Sequence, residues 1–188
     1  AARLKELTGL ARDEVGRFHT EQPLRRGIDR EDLRHKLGIE DRSTFDALVD
    51  VTPGIVHEGP LVRREDHAVA LDPEQQRQRG DLIEALEADG LNPPLTKELG
   101  AAPALLRALA DAGEIVAIGD FYLTAGQIRT VRERVVRFIE ANGPATVAQL
   151  RDELQTSRKY AVPLAEWLDQ TGVTRRQGND RVLGPRAA

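Results

Sequence analysis

A pattern that recurs about every 60 residues constrains this chain more than any other feature of its sequence. Each copy contains a leucine near a predicted helix end, a glycine, a short β-branched strand, a glycine-containing turn and a second short strand. The leading leucines Leu48, Leu109 and Leu168 are 61 and 59 residues apart. Glycine readily adopts the left-handed backbone that ends helices and turns hairpins. The sequence therefore predicts three β-hairpins, each preceded by a helix.

The residues before each hairpin repeat as well. Apolar spacing predicts longer helices over 3–19, 74–89 and 130–141, and leucine pairs four residues apart predict a short helix after each. These pairs are Leu33 and Leu37, Leu95 and Leu99, and Leu150 and Leu154. Asp29 and Thr146 are suited to cap two of the short helices, because their side-chain oxygens can accept from free backbone N–H groups.

The order of helix, short helix, helix and hairpin is that of a winged helix. The sequence thus predicts a mainly α protein with small β-hairpin wings, built as three tandem winged-helix domains in an elongated array. We place the domains at 1–72, 73–126 and 127–188. No Ser/Gly-rich or Pro-rich run separates them, and we expect helical junctions, for example over 124–132.

Composition excludes several functions. The 188 residues include no cysteine, which excludes disulfides, thiolate catalysis and cysteine-ligated zinc. No P-loop, G-x-G-x-x-G, H-E-x-x-H or G-x-S-x-G motif occurs, so we predict no enzyme activity, cofactor or metal for this chain. The four histidines lack metal-ligand spacing and are interpreted as structural. No apolar run is long enough to cross a membrane. Since residue 1 is not methionine, we expect a fragment of a longer protein.

The net charge of −4 conceals an asymmetry along the chain. Residues 1–125 hold 16 basic and 24 acidic side chains, whereas residues 126–188 hold 11 basic and 7 acidic ones. The two parts therefore carry −8 and +4. A basic end on an otherwise acidic chain is a hint of a polyanion-binding region, although chance clustering of solvated charges would give the same numbers.

The basic residues of the third repeat fall where a winged helix presents its recognition helix and its wing. A helix N-terminus favours phosphate, and an aromatic side chain can stack on an unpaired base. The alternatives are a solvated helix end and, for Tyr160, a place at the edge of the core. The candidate RNA-binding residues are Thr156, Ser157, Arg158, Lys159, Tyr160, Arg175, Arg176 and Arg181.

The corresponding positions of the other repeats are different. In the second repeat they read Ala102-Pro103-Ala104 and Val116-Ala117-Ile118, without charge. In the first repeat Asp41, Arg42, His57 and Glu58 make a mixed set. We therefore predict a repeated fold in which only the third copy has a basic site.

The run T-S-R-K-Y-A-V-P-L-A-E-W-L from Thr156, followed by V-T-R-R-Q-G-N-D-R-V-L ending at Leu183, resembles the end of the bacterial SelB family of selenocysteine-specific elongation factors. The segment F-H-T-E-Q-P-L-R-R-G from Phe18 is similar to an earlier part of the C-terminal extension of that family. The resemblance covers essentially the whole chain.

The resemblance implies that this chain is the last three of four winged helices that follow a GTPase. The final domain would bind the selenocysteine insertion (SECIS) hairpin of an mRNA. The factor would thereby deliver selenocysteinyl-tRNA at a UGA codon on the ribosome, in the cytoplasm and as a monomer. GTP and Mg²⁺ would belong to the N-terminal part, which is absent here. The alternatives are a tandem winged-helix regulator that binds DNA, and a protein-interaction scaffold.

Overall fold

The computed structural model describes residues 2–187, which form two compact units, one ending at Pro73 and one beginning at Glu74. Within the first unit, the strands pair antiparallel in the order β1-β3-β2. Its elements are α1 (Ala2–Glu21), β1 (Ile28–Asp29), α2 (Arg30–Lys36), α3 (Arg42–Val51), β2 (Ile55–Glu58) and β3 (Leu61–Arg64).

The apolar residues predicted along the first repeat build the core of this unit. Val15 and Leu33 are fully buried, and Phe45 and Leu48 of α3 pack with them. Asp29 caps α2 as predicted, because its Oδ1 accepts from the backbone N–H of Glu31 at 2.8 Å. The resulting arrangement of three helices and a three-stranded sheet is a winged helix.

The second unit contains a two-stranded sheet, β4-β5, and a three-stranded sheet in the order β6-β8-β7. Its elements are α4 (Pro73–Glu87), a 3-10 turn (Thr96–Glu98), α5 (Pro103–Asp111), β4 (Ile115–Ile118), β5 (Phe121–Thr124), α6 (Ala125–Asn142), β6 (Ala145–Thr146), α7 (Val147–Leu154), α8 (Arg158–Gln170), β7 (Thr174–Gln177) and β8 (Asp180–Leu183).

Helix α6 confirms the predicted helical junction. It follows β5 without a break, and the side chains of Thr124 and Gln127 each accept a hydrogen bond from the backbone N–H of the other. Thr146 caps α7 in the same way with Gln149, as predicted. These caps satisfy N–H groups that helix starts leave free.

The predicted short helix through Leu95 and Leu99 was wrong, since only a 3-10 turn forms there. Pro94 precedes this stretch, and Gly100, with a φ of 62°, follows it. A residue before proline is disfavoured in the helical region, and a left-handed glycine ends a helix. The stretch between Pro94 and Gly100 therefore forms a single tight turn.

An apolar cluster joins the hairpin of the second repeat to the third repeat. Ile118 and Phe121 from the hairpin of the second repeat pack in the same cluster as Tyr160 and Leu164 of α8. The division of this unit into domains at 73–126 and 127–188 therefore stays a prediction. Within residues 2–187, no helix is both long and apolar enough to cross a bilayer.

Candidate nucleic-acid interface

The start of α8 is held in place by a loop of the second repeat. The Thr156 hydroxyl donates to the carbonyl of Leu91 at 2.8 Å and lies 3.0 Å from the Asn92 Oδ1. The backbone N–H of Ser157 donates to the same Asn92 oxygen at 3.2 Å. Ser157 is the N-cap residue, yet its side chain makes no capping bond. Thr156 is thus engaged within the protein, whereas the exposed Ser157 hydroxyl is free to meet a ligand.

Tyr160 lies in the core. Only 7% of the residue is exposed, and its ring meets that of Phe121 edge to face at 5.0 Å. Its hydroxyl donates to the carbonyl of Pro93 at 2.6 Å. Of the two roles that the sequence left open, the structure supports the bracing of the helix, because a buried ring cannot stack on a base.

Arg158 and Lys159 extend from the first turn of α8 into solvent. Among residues 2–187, no carboxylate lies within ion-pair distance of either side chain. The Lys159 Nζ lies 4.9 Å from the centre of the Tyr160 ring, a cation–π contact. The two cations therefore stand at the positive end of the helix dipole, where a phosphate is favoured.

The wing adds two further exposed cations. Arg175 and Arg176 lie on β7, and the following turn contains Gly178 at a φ of 63°. The Arg176 Nε donates to the carbonyl of Gly178 at 2.9 Å, which orients the side chain along the turn. We define the basic surface as the exposed residues at the start of α8 together with the exposed arginines of β7, namely Ser157, Arg158, Lys159, Arg175 and Arg176.

Arg181 does not belong to this surface. Its side chain is only 8% exposed, and its Nε donates to the Asp169 Oδ2 at 3.2 Å. Asp169 also accepts from the Thr174 hydroxyl at 2.6 Å. Asp169, near the end of α8, is thus bonded to both strands of the wing, to β7 through Thr174 and to β8 through Arg181. The prediction that Arg181 contacts a phosphate is corrected, because β8 points this side chain inward.

The hairpin of the second repeat packs against helix α8 of the third repeat. Ile118 and Phe121 are each 2% exposed and pack against α8, and a Cβ placed on the turn residue Gly119 would lie 3.6 Å from Pro163. Charged side chains at these positions would be buried. This packing explains why Ile118 is uncharged, whereas Ala117 of the same strand is exposed.

The charges of the first repeat are partnered. Arg42 pairs with Glu31 at 3.1 Å, and the His57 Nε2 lies 3.2 Å from the Asp50 Oδ1. Hydrogen bonds from Ser43 and Thr44 lower the pKa of Asp41, the α3 cap, to about 2. A carboxylate that stays ionised at this helix start disfavours a phosphate there.

Two histidines of the first unit come together, but without the geometry of a metal site. The rings of His19 and His67 stack with their centres 3.5 Å apart, and the His67 Nε2 lies 2.9 Å from the carbonyl of Arg25. The pKa of His19 is lowered to about 4, mainly by burial and next by the neighbouring His67. In the part of the chain that is described, no cluster of His, Asp or Glu is arranged to hold a metal ion.

Sequence reasoning missed Asn92. It stands before two prolines in an irregular loop, and its contacts to Thr156 and Ser157 span more than 60 positions of sequence. No local pattern marks such a residue, because its role depends on a tertiary contact.

The fold defines a class, the tandem winged-helix proteins, and the third repeat of this one carries an exposed basic surface. Family models described as "Elongation factor SelB, winged helix" match residues 12–52 and 137–183. These matches support an assignment of the chain to the C-terminal winged-helix region of SelB.

Individual relatives agree with this assignment. The selenocysteine-specific elongation factor of Desulfomicrobium baculatum is 28% identical over 97% of this chain, and that of Escherichia coli K12 is 29% identical over 91%. The chain spans only 31% and 30% of the lengths of these relatives.

Two solved structures are similar. The mRNA-binding domain of Escherichia coli SelB in complex with SECIS RNA is 29% identical, with a TM-score of 0.52 over 61% of this chain and 99% of that one. A bacterial selenocysteine-specific elongation factor matches 96% of this chain and 29% of its own length, with a TM-score of 0.55. At 18% identity the latter shows the fold alone.

Proposed function

We propose that this chain is the mRNA-binding part of a selenocysteine-specific elongation factor and that its third repeat binds an RNA hairpin. The observation that carries the proposal is the basic surface itself. It lies within a repeat that matches a SelB winged-helix family model, and its four cations have no carboxylate partner among residues 2–187.

The chemistry of the basic surface suits the loop of a hairpin. The major groove of A-form RNA is too narrow for a helix, whereas a loop exposes both phosphates and base edges. Arg158 and Lys159 would neutralise phosphates at the start of α8, and Arg175 and Arg176 would do so from the wing. The Ser157 hydroxyl and the first free N–H groups of α8 would add hydrogen bonds.

The remainder of the factor follows from the family. The longer protein would contain a GTPase with GTP and Mg²⁺, would carry selenocysteinyl-tRNA through that part, and would act as a cytoplasmic monomer on the ribosome. The first two repeats would then link the hairpin-binding repeat to the GTPase. This chain would contribute no catalytic step.

Selection from a pool of RNA hairpins with a fixed stem and a randomised loop tests the proposal. The chain is expected to enrich one family of loops, and the selected hairpin should bind more tightly than the same stem with another loop. Preference for a DNA duplex would favour a transcription regulator, and binding to neither would favour a protein scaffold. Either result would contradict the proposal.

Single substitutions locate the interface. Arg158→Ala and Arg175→Ala should each weaken binding of the selected hairpin, because each removes one phosphate contact. Arg107→Ala is the matched control, since it removes an exposed arginine from α5, away from the basic surface. Equal effects of all three substitutions would show general electrostatic attraction instead of a site.

A further inference from the structure

The start of α8 is anchored at two points that lie on either side of the exposed cations. The first anchor is the Asn92 side chain, which accepts from the N–H of Ser157 at 3.2 Å and lies 3.0 Å from the Thr156 hydroxyl. The second is the carbonyl of Pro93, which accepts from the Tyr160 hydroxyl at 2.6 Å. Arg158 and Lys159 lie between the two anchors.

The turn before α8 requires such support. Gln155 adopts φ 54° and ψ 46°, and among residues 2–187 no other non-glycine residue has a positive φ. A side chain in this left-handed region costs roughly 1–2 kcal/mol relative to the right-handed one. The N-cap Ser157 also lacks a side-chain capping bond. The segment is therefore a weak helix start by its own chemistry, and contacts from outside must fix it.

Asn92 is the only side chain of the second repeat that bonds to this segment among the described residues. It belongs to the same compact unit as α8, and it follows α4 in a short loop. Its oxygen accepts from the backbone N–H of Ser157 and lies 3.0 Å from the Thr156 hydroxyl, so it fixes both the position and the direction in which α8 begins.

We propose that Asn92 is a positioning residue for RNA binding: it holds the start of α8 so that Arg158 and Lys159 are preorganised for the phosphates of the hairpin. The proposal rests on the proposed function. It assigns the second repeat a defined part in RNA affinity without contact to RNA. A preorganised site binds more tightly because less conformational entropy is lost on binding.

The test measures binding of the selected hairpin to the full chain and to its Asn92→Ala variant. We expect the Kd to rise about two- to tenfold, the effect of one lost hydrogen bond. The dependence of Kd on salt should keep its slope, because no phosphate contact is removed. Asn142→Ala is the matched control, since the Asn142 side chain donates to the carbonyl of Phe138 in its own helix. An unchanged Kd for Asn92→Ala would overturn the proposal.

A double-mutant cycle with Thr156→Val separates positioning from direct contact. Both substitutions loosen the same anchor. The double variant should therefore bind the selected hairpin with nearly the same affinity as the weaker-binding of the two single variants. Additive losses would mean that Asn92 contacts RNA itself, which also overturns the proposal. Hydrogen exchange at the Ser157 amide, measured without RNA, should accelerate in Asn92→Ala and not in Asn142→Ala.

The outcome for the wild-type chain distinguishes the two proposals. If it does not prefer the selected hairpin over the stem with a replaced loop, the proposed function fails. If the wild-type chain shows that preference and Asn92→Ala binds the selected hairpin with the same Kd, only the positioning role fails. Thr156→Val supplies a second, gentler perturbation of the same anchor in case Asn92→Ala does not fold.

Discussion

Replacing Arg175 and Arg181 one at a time separates two roles of arginines that lie on adjacent strands of the same wing. Arg175 is exposed, whereas the side chain of Arg181 is 8% exposed and pairs with Asp169. We expect Arg175→Ala to change RNA binding and leave stability nearly unaltered. We expect Arg181→Ala to do the reverse.

The magnitudes follow from the number of exposed cations. If Arg158, Lys159, Arg175 and Arg176 each neutralise one phosphate, log K falls with log salt at a slope of about −2.8 to −3.6. Between 50 and 200 mM salt, affinity should therefore fall roughly 50- to 150-fold. With three cations, as in Arg175→Ala, the same increase in salt should lower affinity roughly 20- to 40-fold.

The effect of Arg181→Ala is on folding. It leaves Asp169 in a partly buried site, where the side chain is 21% exposed, with the Thr174 hydroxyl as its remaining side-chain partner. Loss of a hydrogen bond to a charged, largely buried group costs about 1–3 kcal/mol of the free energy of unfolding. The salt slope of RNA binding should remain that of the wild type.

Fluorescence titration of the selected hairpin at several salt concentrations, together with urea unfolding of each variant, measures both quantities. All titrations are made well below the temperature at which Arg181→Ala unfolds. The reasoning is refuted if Arg181→Ala flattens the salt slope as much as Arg175→Ala does, or if Arg175→Ala leaves the slope unchanged.

Three further predictions concern stability. Tyr160→Phe keeps the ring and removes the hydroxyl bond to a backbone carbonyl, so urea unfolding should show a loss of about 1 kcal/mol. The pKa of His19 is about 4 in the folded chain and 6.5 ordinarily, so the unfolded chain binds more protons between these values and stability should fall as pH drops from 6.5 to 4. His19→Gln should remove that dependence, and His35→Gln, at an exposed histidine, should keep it. A Cβ on Gly184 would lie 2.2 Å from a backbone oxygen, so Gly184→Ala should destabilise the fold; Gly80→Ala, in an uncrowded turn of α4, should instead stabilise it by about 0.5–1 kcal/mol. An equal response of the two alanine variants in urea would contradict the close approach at Gly184.

The sequence was sufficient to predict most helices and the three hairpins because their signals are local, but it missed the two-residue strands β1 and β6. Glycines at hairpin turns, the caps at Asp29 and Thr146, and leucines at helical spacing each act within a few residues of chain. The hairpins form where the repeat placed them, and both caps make the expected bonds. The one wrong helix, near Leu95, is also a local effect, since proline and glycine leave too little length for a helix.

The candidate site was harder to predict because exposure is a tertiary property. Arg175 and Arg181 look equivalent in sequence, but Asp169, 12 residues from Arg181, draws one of them inward. Tyr160 finds its hydroxyl partner 67 residues away, at Pro93. Spacing identifies which side chains are chemically able to bind RNA, whereas packing decides which of them remain accessible.

The three repeats suggest how one fold can keep a single exposed basic surface. In the first repeat, ion pairs such as Arg42 with Glu31 and an ionised Asp41 offset the positive helix start. In the second, Ile118 and Phe121 bury the hairpin against α8. That burial has a second effect, because the repeat that loses its own wing surface braces the helix of the third. A charge introduced at Ile118 would therefore disturb the basic surface from a distance, through the packing of α8, without approaching any ligand bound there.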